Sequence, residues 1–220
     1  MGEHKILITG AEGFIGRNLT KEVLKEHSPR DVLLFVKKGN AENIKKLKEI
    51  TVKQKVIIRE VDLVTKEGLN NFDFQPDIVF HLAGSTDTSK GDHRANDVGT
   101  KNLVDVLNLQ NKKAHLIYTS TTAVYSGRRD ASWPIGEKTE PLPSNEYGRS
   151  KLRAEKYLIK KAKKGKFRLT IVRLSTVFGV GTRHDGLFSI LKRYINDGSF
   201  IARLNWPGLT GLIYVGDVVK

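Results

Sequence analysis

The chain has 220 residues, with 38 Lys and Arg against 24 Asp and Glu, a formal net charge of +14, and no cysteine. That length holds one domain with a real core, or one domain and a fragment of another; without cysteine there is no disulfide framework and no thiol chemistry, which suits a reducing cytosol. No apolar run approaches the ~18 residues of a membrane span, and the first strand follows Met1 too closely for a signal segment, so a cytoplasmic protein without a membrane partner is expected.

Lys5-Ile6-Leu7-Ile8-Thr9 is a short apolar run that ends in a glycine turn, as a buried parallel strand does. Phe14, Ile15, Leu19, Val23 and Leu24 then recur at helical spacing as far as Ser28-Pro29, which stops the helix. Further strands read at Val32–Val36, Lys55–Val61, Asp77–His81, Ala114–Thr119 and Leu169–Arg173. Helices read at Ala41–Ile50, Asn96–Gln110, Glu146–Lys164 and Leu187–Asn196. Gly39-Asn40, Gln75-Pro76 and Pro141-Leu142-Pro143-Ser144 are the turns between them. Strands alternating with helices predict an α/β fold with a doubly wound parallel sheet, covered on both faces.

Three stretches carry chemistry. Gly10, Gly13 and Gly16 stand where the first strand becomes a helix, a place where the backbone must turn sharply and can approach a pyrophosphate. The amides and dipole of that helix then favour phosphate charge. Thr119-Ser120-Thr121 ends a strand, and Tyr147-Gly148-Arg149-Ser150-Lys151 opens a helix. Residues four apart on a helix share a face. A free phenol titrates near ~10, and an ammonium one turn away favours its ionised form. Tyr147 and Lys151 therefore read as a proton-transfer pair, with Thr121 able to hold a substrate oxygen against the same phenol.

The net charge invites a nucleic-acid reading. Its densest part, Lys160, Lys161, Lys163, Lys164, Lys166 and Arg168, lies at a helix end, where cations complement the dipole. No aromatic residues interleave there for base stacking, so no nucleic-acid partner is expected.

In order along the chain, TGAEGFIG (residues 9–16), Asp62-Leu63, His81-Leu82-Ala83-Gly84, Asn96 with Gly99-Thr100-Lys101-Asn102, TSTTAVYS (119–126), YGRSK (147–151) and Tyr214-Val215-Gly216-Asp217-Val218 resemble the short-chain dehydrogenase/reductase superfamily. The likeness is to its extended branch of NAD(P)-dependent nucleotide-sugar epimerases, dehydratases and reductases. It implies a Rossmann domain over residues 1–178 with about seven strands. Residues 179–220 would begin a substrate-binding portion, most of which is missing. It implies Tyr147 as general acid/base and Lys151 as a second catalytic residue that also bonds the nicotinamide ribose. Thr121 takes the catalytic Ser/Thr position. The dinucleotide would be held by Gly10, Gly13, Phe14, Ile15 and Gly16, with Asp62 and Leu63 flanking adenine. Leu82, Ala83 and Gly84 would line the nicotinamide side with Thr119, and Asn96 matches a helix asparagine of the family, though a helix cap explains it nearly as well. His81 reads as structural.

Cofactor choice is read at the end of the second strand, where NAD enzymes place an acidic residue. This chain has Lys37 and Lys38 there, which would pair with a 2′-phosphate, so NADP is expected, with NAD as the alternative. Dehydratases of the branch follow the catalytic Thr with Asp-Glu. Here Thr122 and Ala123 stand instead, and neither transfers a proton at neutral pH. An epimerase or oxidoreductase acting on a nucleotide-linked sugar remains, and the resemblance implies a homodimer through the helices Asn96–Gln110 and Glu146–Lys164, with Leu103, Val106, Leu107, Leu158, Ile159 and Ala162 as the shared apolar face. The alternatives are an NADP-dependent reductase of a non-nucleotide carbonyl compound and a non-catalytic protein that binds a dinucleotide and RNA.

Overall fold

The computed structural model describes residues 4–69, 74–86, 91–107, 114–128, 135–165, 167–182, 187–198 and 211–220. Six strands form one parallel sheet: β1 (Ile6–Thr9), β2 (Val32–Lys37), β3 (Ile57–Val61), β4 (Ile78–His81), β5 (His115–Thr121) and β6 (Arg168–Leu174). Their order is β3-β2-β1-β4-β5-β6. The direction of winding reverses between β1 and β4, and in such sheets the crevice at that reversal, beyond the carboxyl ends of the strands, is where ligands sit. The helices α1 (Phe14–Glu26), α2 (Ala41–Thr51), α3 (Arg94–Leu107), α4 (Glu146–Gly165) and α5 (Leu187–Asn196) alternate with the strands as the periodicity predicts.

Successive strand residues point to opposite faces, and the core divides accordingly. Leu7, Leu33, Phe35, Val79, Leu116 and Tyr118 pack with Leu103, Leu107 and Leu158 of α3 and α4. Ile6, Ile8, Leu34 and Val36 pack on the other face with Leu19 and Val23 of α1 and Ile44 and Leu47 of α2. On that second face Phe80, Ile117 and Val172 line a cleft of about 380 Å3, and β6 is accordingly only half-buried. No described helix is long and apolar enough to cross a membrane.

Three expectations are corrected. Among the described residues the main sheet has six strands rather than about seven, because the chain after β6 adds no strand to that free edge. β7 (Thr176–Phe178) instead pairs in parallel with β8 (Leu212–Tyr214), which leads into the single turn α6 (Val215–Val218). The second correction concerns α3, which begins at Arg94, so Asn96 lies inside its first turn and is no cap. The third is the proposed dimer face, most of which belongs to the chain's own interior. Leu103, Leu107 and Leu158 are core residues and Val106 and Ala162 pack against them, leaving Ile159 exposed. The part of the expected helix at residues 108–110 and Lys166 of the basic cluster lie outside the described residues.

Candidate active site

The turn from β1 into α1 needs its glycines for stated reasons. Gly10 has φ +69°, in the left-handed region, and a Cβ there would lie 2.8 Å from the Ala83 backbone nitrogen. A Cβ on Gly16 would lie 2.2 Å from the Gly10 carbonyl oxygen, so the helix could not sit down on the turn. Gly13 is the N-cap of α1 and has no side chain to occupy the helix's free amides. Those amides, with Phe14 and Ile15 in the first turn, are open to an anion. This cradle, which any Cβ would fill, fits a dinucleotide pyrophosphate.

The end of β4 is tied to the same turn. Thr9 Oγ1 accepts from the Ala83 N–H at 3.2 Å, and the Leu82 N–H donates to the Thr9 carbonyl at 3.2 Å. His81 is fully buried, with Nδ1 2.7 Å from Thr9 Oγ1 and Nε2 2.8 Å from Thr100 Oγ1. Burial, and then the nearby Lys151 charge, push its pKa down to about 3, so it stays neutral and braces β4 against β1 and α3.

Asn96 performs a task the sequence did not reveal. Its Oδ1 accepts from the Ser85 N–H at 2.8 Å, and its Nδ2 donates to the Ser85 carbonyl at 3.0 Å and to Ser150 Oγ at 2.9 Å. It thus fastens the loop after β4 to the second turn of α4, and Gly84 has no room for a Cβ because Asn96 Oδ1 would be 2.5 Å away.

Tyr147, Lys151 and Thr121 come together beside that loop. Thr121 is the last residue of β5 and caps a 3-10 turn over Thr122–Tyr125, accepting the Ala123 N–H at 3.1 Å. Burial raises the Tyr147 pKa, opposed in part by the nearby Thr121 hydroxyl, which corrects the fall expected from Lys151 one turn away. Lys151 Nζ donates to the Thr119 carbonyl at 2.9 Å and stands 4.8 Å from the centre of the Tyr118 ring. Burial brings its pKa down to about 8, opposed by Glu155 one turn further along α4. The ammonium would be 3.2 Å from a Cβ on Gly84, so it faces the mouth between β4 and β5. The phenol is therefore tuned by burial and by Thr121, and the ammonium is directed at a backbone carbonyl and the Gly84 loop.

Three groups were not singled out from sequence. Glu155, 1% exposed, binds Arg173 through both carboxylate oxygens and accepts from Ser120 Oγ, and Arg173 also reaches the Tyr125 hydroxyl. Its place on the Tyr147–Lys151 face, four residues on, was the available signal. His93 is buried, with its ring 5.8 Å from that of Tyr147. Glu12 hides within the glycine motif and accepts the Lys37 N–H at 3.0 Å. Only the folded chain brings it to the end of β2.

The adenosine-side candidates are less collected. Asp62 Oδ1 accepts from the Val64 and Thr65 N–H groups at 2.8 and 3.0 Å, which holds its carboxyl below the usual range and builds its own turn. Leu63 is buried, and its carbonyl accepts from Asn102. Lys38 is paired with Glu67, both exposed, while the Lys37 side chain extends into solvent.

A model of the NAD dependent epimerase/dehydratase family matches residues 6–220. The chain is 30% identical over 231 residues to an ADP-L-glycero-D-manno-heptose-6-epimerase of Brachyspira hyodysenteriae, covering 98% of this chain and 70% of that protein. It is 29% identical over 186 residues to a UDP-glucose 4-epimerase of Mycoplasma genitalium, covering 80% of this chain and 53% of that one. Among solved structures, the fold is similar to that of a UDP-N-acetylglucosamine 4-epimerase from Methanobrevibacter ruminantium. The TM-score is 0.78 at 20% identity, over 100% of this chain and 71% of that one. Solved chains of this fold include complexes with NAD and with NADPH. The chain thus spans 53–70% of the length of these two curated relatives.

Proposed function

The chain belongs to the NAD dependent epimerase/dehydratase family, and from that premise we propose that it is an NAD(P)-dependent epimerase or oxidoreductase acting on a nucleotide-linked sugar. The observation that supports the reading is the placement of the buried Lys151 ammonium at the Gly84 loop, beside the glycine turn, with Tyr147 one turn before it on α4 and Thr121 near that phenol. A protein that only held a dinucleotide would have no use for a buried phenol and ammonium at that place.

In this reading Gly10, Gly13 and Gly16 admit the pyrophosphate, and the open amides of α1 bind it. Lys151 Nζ orients the ribose at the Gly84 side, and Asn96 keeps that loop fixed on α4. Thr121 Oγ1 binds the sugar oxygen that lies against the Tyr147 hydroxyl. Tyr147 takes a proton from that oxygen, or gives one back, as its general base or acid. A dinucleotide held there would supply the hydride acceptor and, in an epimerase, the donor that returns the hydride. Thr122 and Ala123 provide no second acid or base, which argues against water elimination. Residues 179–220 serve as the first part of a substrate-binding portion. The same proposal includes a cytoplasmic setting and a homodimer across the outer faces of α3 and α4.

The test is label retention with a panel of nucleotide-linked sugars and free deuterated cofactor. An epimerase interconverts two sugars with no label gained, whereas a reductase delivers the label to product. Absence of both with every sugar supplied would overturn the assignment.

A further inference from the structure

Resting on the nucleotide-binding reading above, we propose that Glu12 selects the cofactor at the adenosine ribose and makes the site prefer NAD to NADP. In doubly wound sheets the ribose of the adenosine half is read at the carboxyl end of β2, normally by an acidic residue of that strand. Here the strand ends in Lys37, and the carboxylate arrives from the glycine turn instead. Glu12 Oε1 accepts the Lys37 N–H at 3.0 Å, so the carboxyl group rests on that strand end.

The rest of the carboxylate is what points to a ligand. Glu12 is 6% exposed, and its Oε2 is buried without a hydrogen-bond partner. Buried polar atoms are nearly always paired, and one left unpaired is costly. A ribose 2′-hydroxyl donating to Oε2 would satisfy it. A 2′-phosphate would bring only acceptors and further negative charge to the same spot.

The neighbouring cations do not reverse this. Arg17 donates to the Glu12 carbonyl, to Asn43 Oδ1 and to the Gly181 carbonyl, and its charge is offset by the nearby Glu12 carboxylate. Lys38 is paired with Glu67. Lys37 offers its backbone to Glu12, and its side chain stands in solvent, where a charge pair contributes little. On this proposal, the glutamate at the Lys37 backbone outweighs the NADP preference that the two lysines suggest.

Calorimetric titration of the full chain with NAD and with NADP at low salt decides the matter, since it reads binding without turnover. NAD should bind about tenfold more tightly or better, each tenfold being ~1.4 kcal/mol. Glu12→Gln keeps an oxygen for the Lys37 N–H and removes the charge; NADP should tighten and the two affinities should approach within about threefold. Lys38→Ala should leave the ratio as it is. Should Glu12→Gln fail to fold, judged by circular dichroism, the wild-type chain is titrated with ADP-ribose and its 2′-phosphate. The added phosphate should then weaken binding. NADP equal to or tighter than NAD in the wild type, an unchanged ratio in Glu12→Gln, or no penalty for the 2′-phosphate would each overturn the inference alone. Failure of both dinucleotides to bind would overturn it together with the reading on which it rests.

Discussion

Burial pushes the Tyr147 phenol up, with the Thr121 hydroxyl nearby opposing it, and burial brings the Lys151 ammonium down to about 8. The two groups make separate predictions. Tyr147→Phe removes only a hydroxyl, so turnover should fall by about 10²–10⁴ while dinucleotide affinity, measured by titration, stays nearly unchanged. Unaltered turnover would exclude Tyr147 as the acid/base. Lys151 speaks to stability. Its folded pKa lies below its unfolded value of 10.5, so between about pH 8 and 10 the unfolded chain holds more protons than the folded one. Stability should therefore rise with pH across that window. Lys151→Met should flatten the rise in urea melts taken from pH 7.5 to 10; an equal slope in both chains would mean that another group is responsible.

Helix α4 is the element on which the site turns, because Tyr147, Lys151 and Glu155 follow one another a turn apart along its inner face. Glu155 joins it to β6 through Arg173 and to β5 through Ser120. Removing one partner of a buried ion pair strands the other. Glu155→Ala should therefore cost about 3–5 kcal/mol, read as a lower urea midpoint, and should weaken turnover by loosening Lys151. A loss under about 1 kcal/mol would mean that Arg173 finds water instead. Much of this element could be read from sequence, since helical periodicity and YGRSK are local signals. The order of strands and helices and the glycine turn were legible for the same reason. What Asn96 and Glu12 do was not, because each acts across the chain. Asn96 meets Ser85 and Ser150, and Glu12 meets Lys37, only after β1, β2 and β4 are side by side. The departure of β7 from the main sheet was hidden likewise, since it depends on pairing with β8, whose register sets Thr176 against Leu212.

For the whole molecule, the outer surface of α3 and α4 is more polar than their sequence suggests. Tyr157 and Lys161 both reach Asp105 there, and Ile159 is exposed beside them. A homodimer through these helices would then be held by few apolar contacts, so light scattering should show a dimer that dissociates as concentration falls through the micromolar range. A monomer at all concentrations would remove the dimer from the proposal. The separate β7–β8 pair has a different consequence. Two strands alone are marginally stable, and among the described residues Thr176, Val177 and Phe178 pair in register with Leu212, Ile213 and Tyr214 rather than joining the six-stranded sheet. Its amides should exchange with deuterated water well before those of β1, which is flanked by β2 and β4 along its whole length. In the proposed function, the β7–β8 part on the substrate side would then loosen on its own clock while the strands beside the glycine turn stay protected.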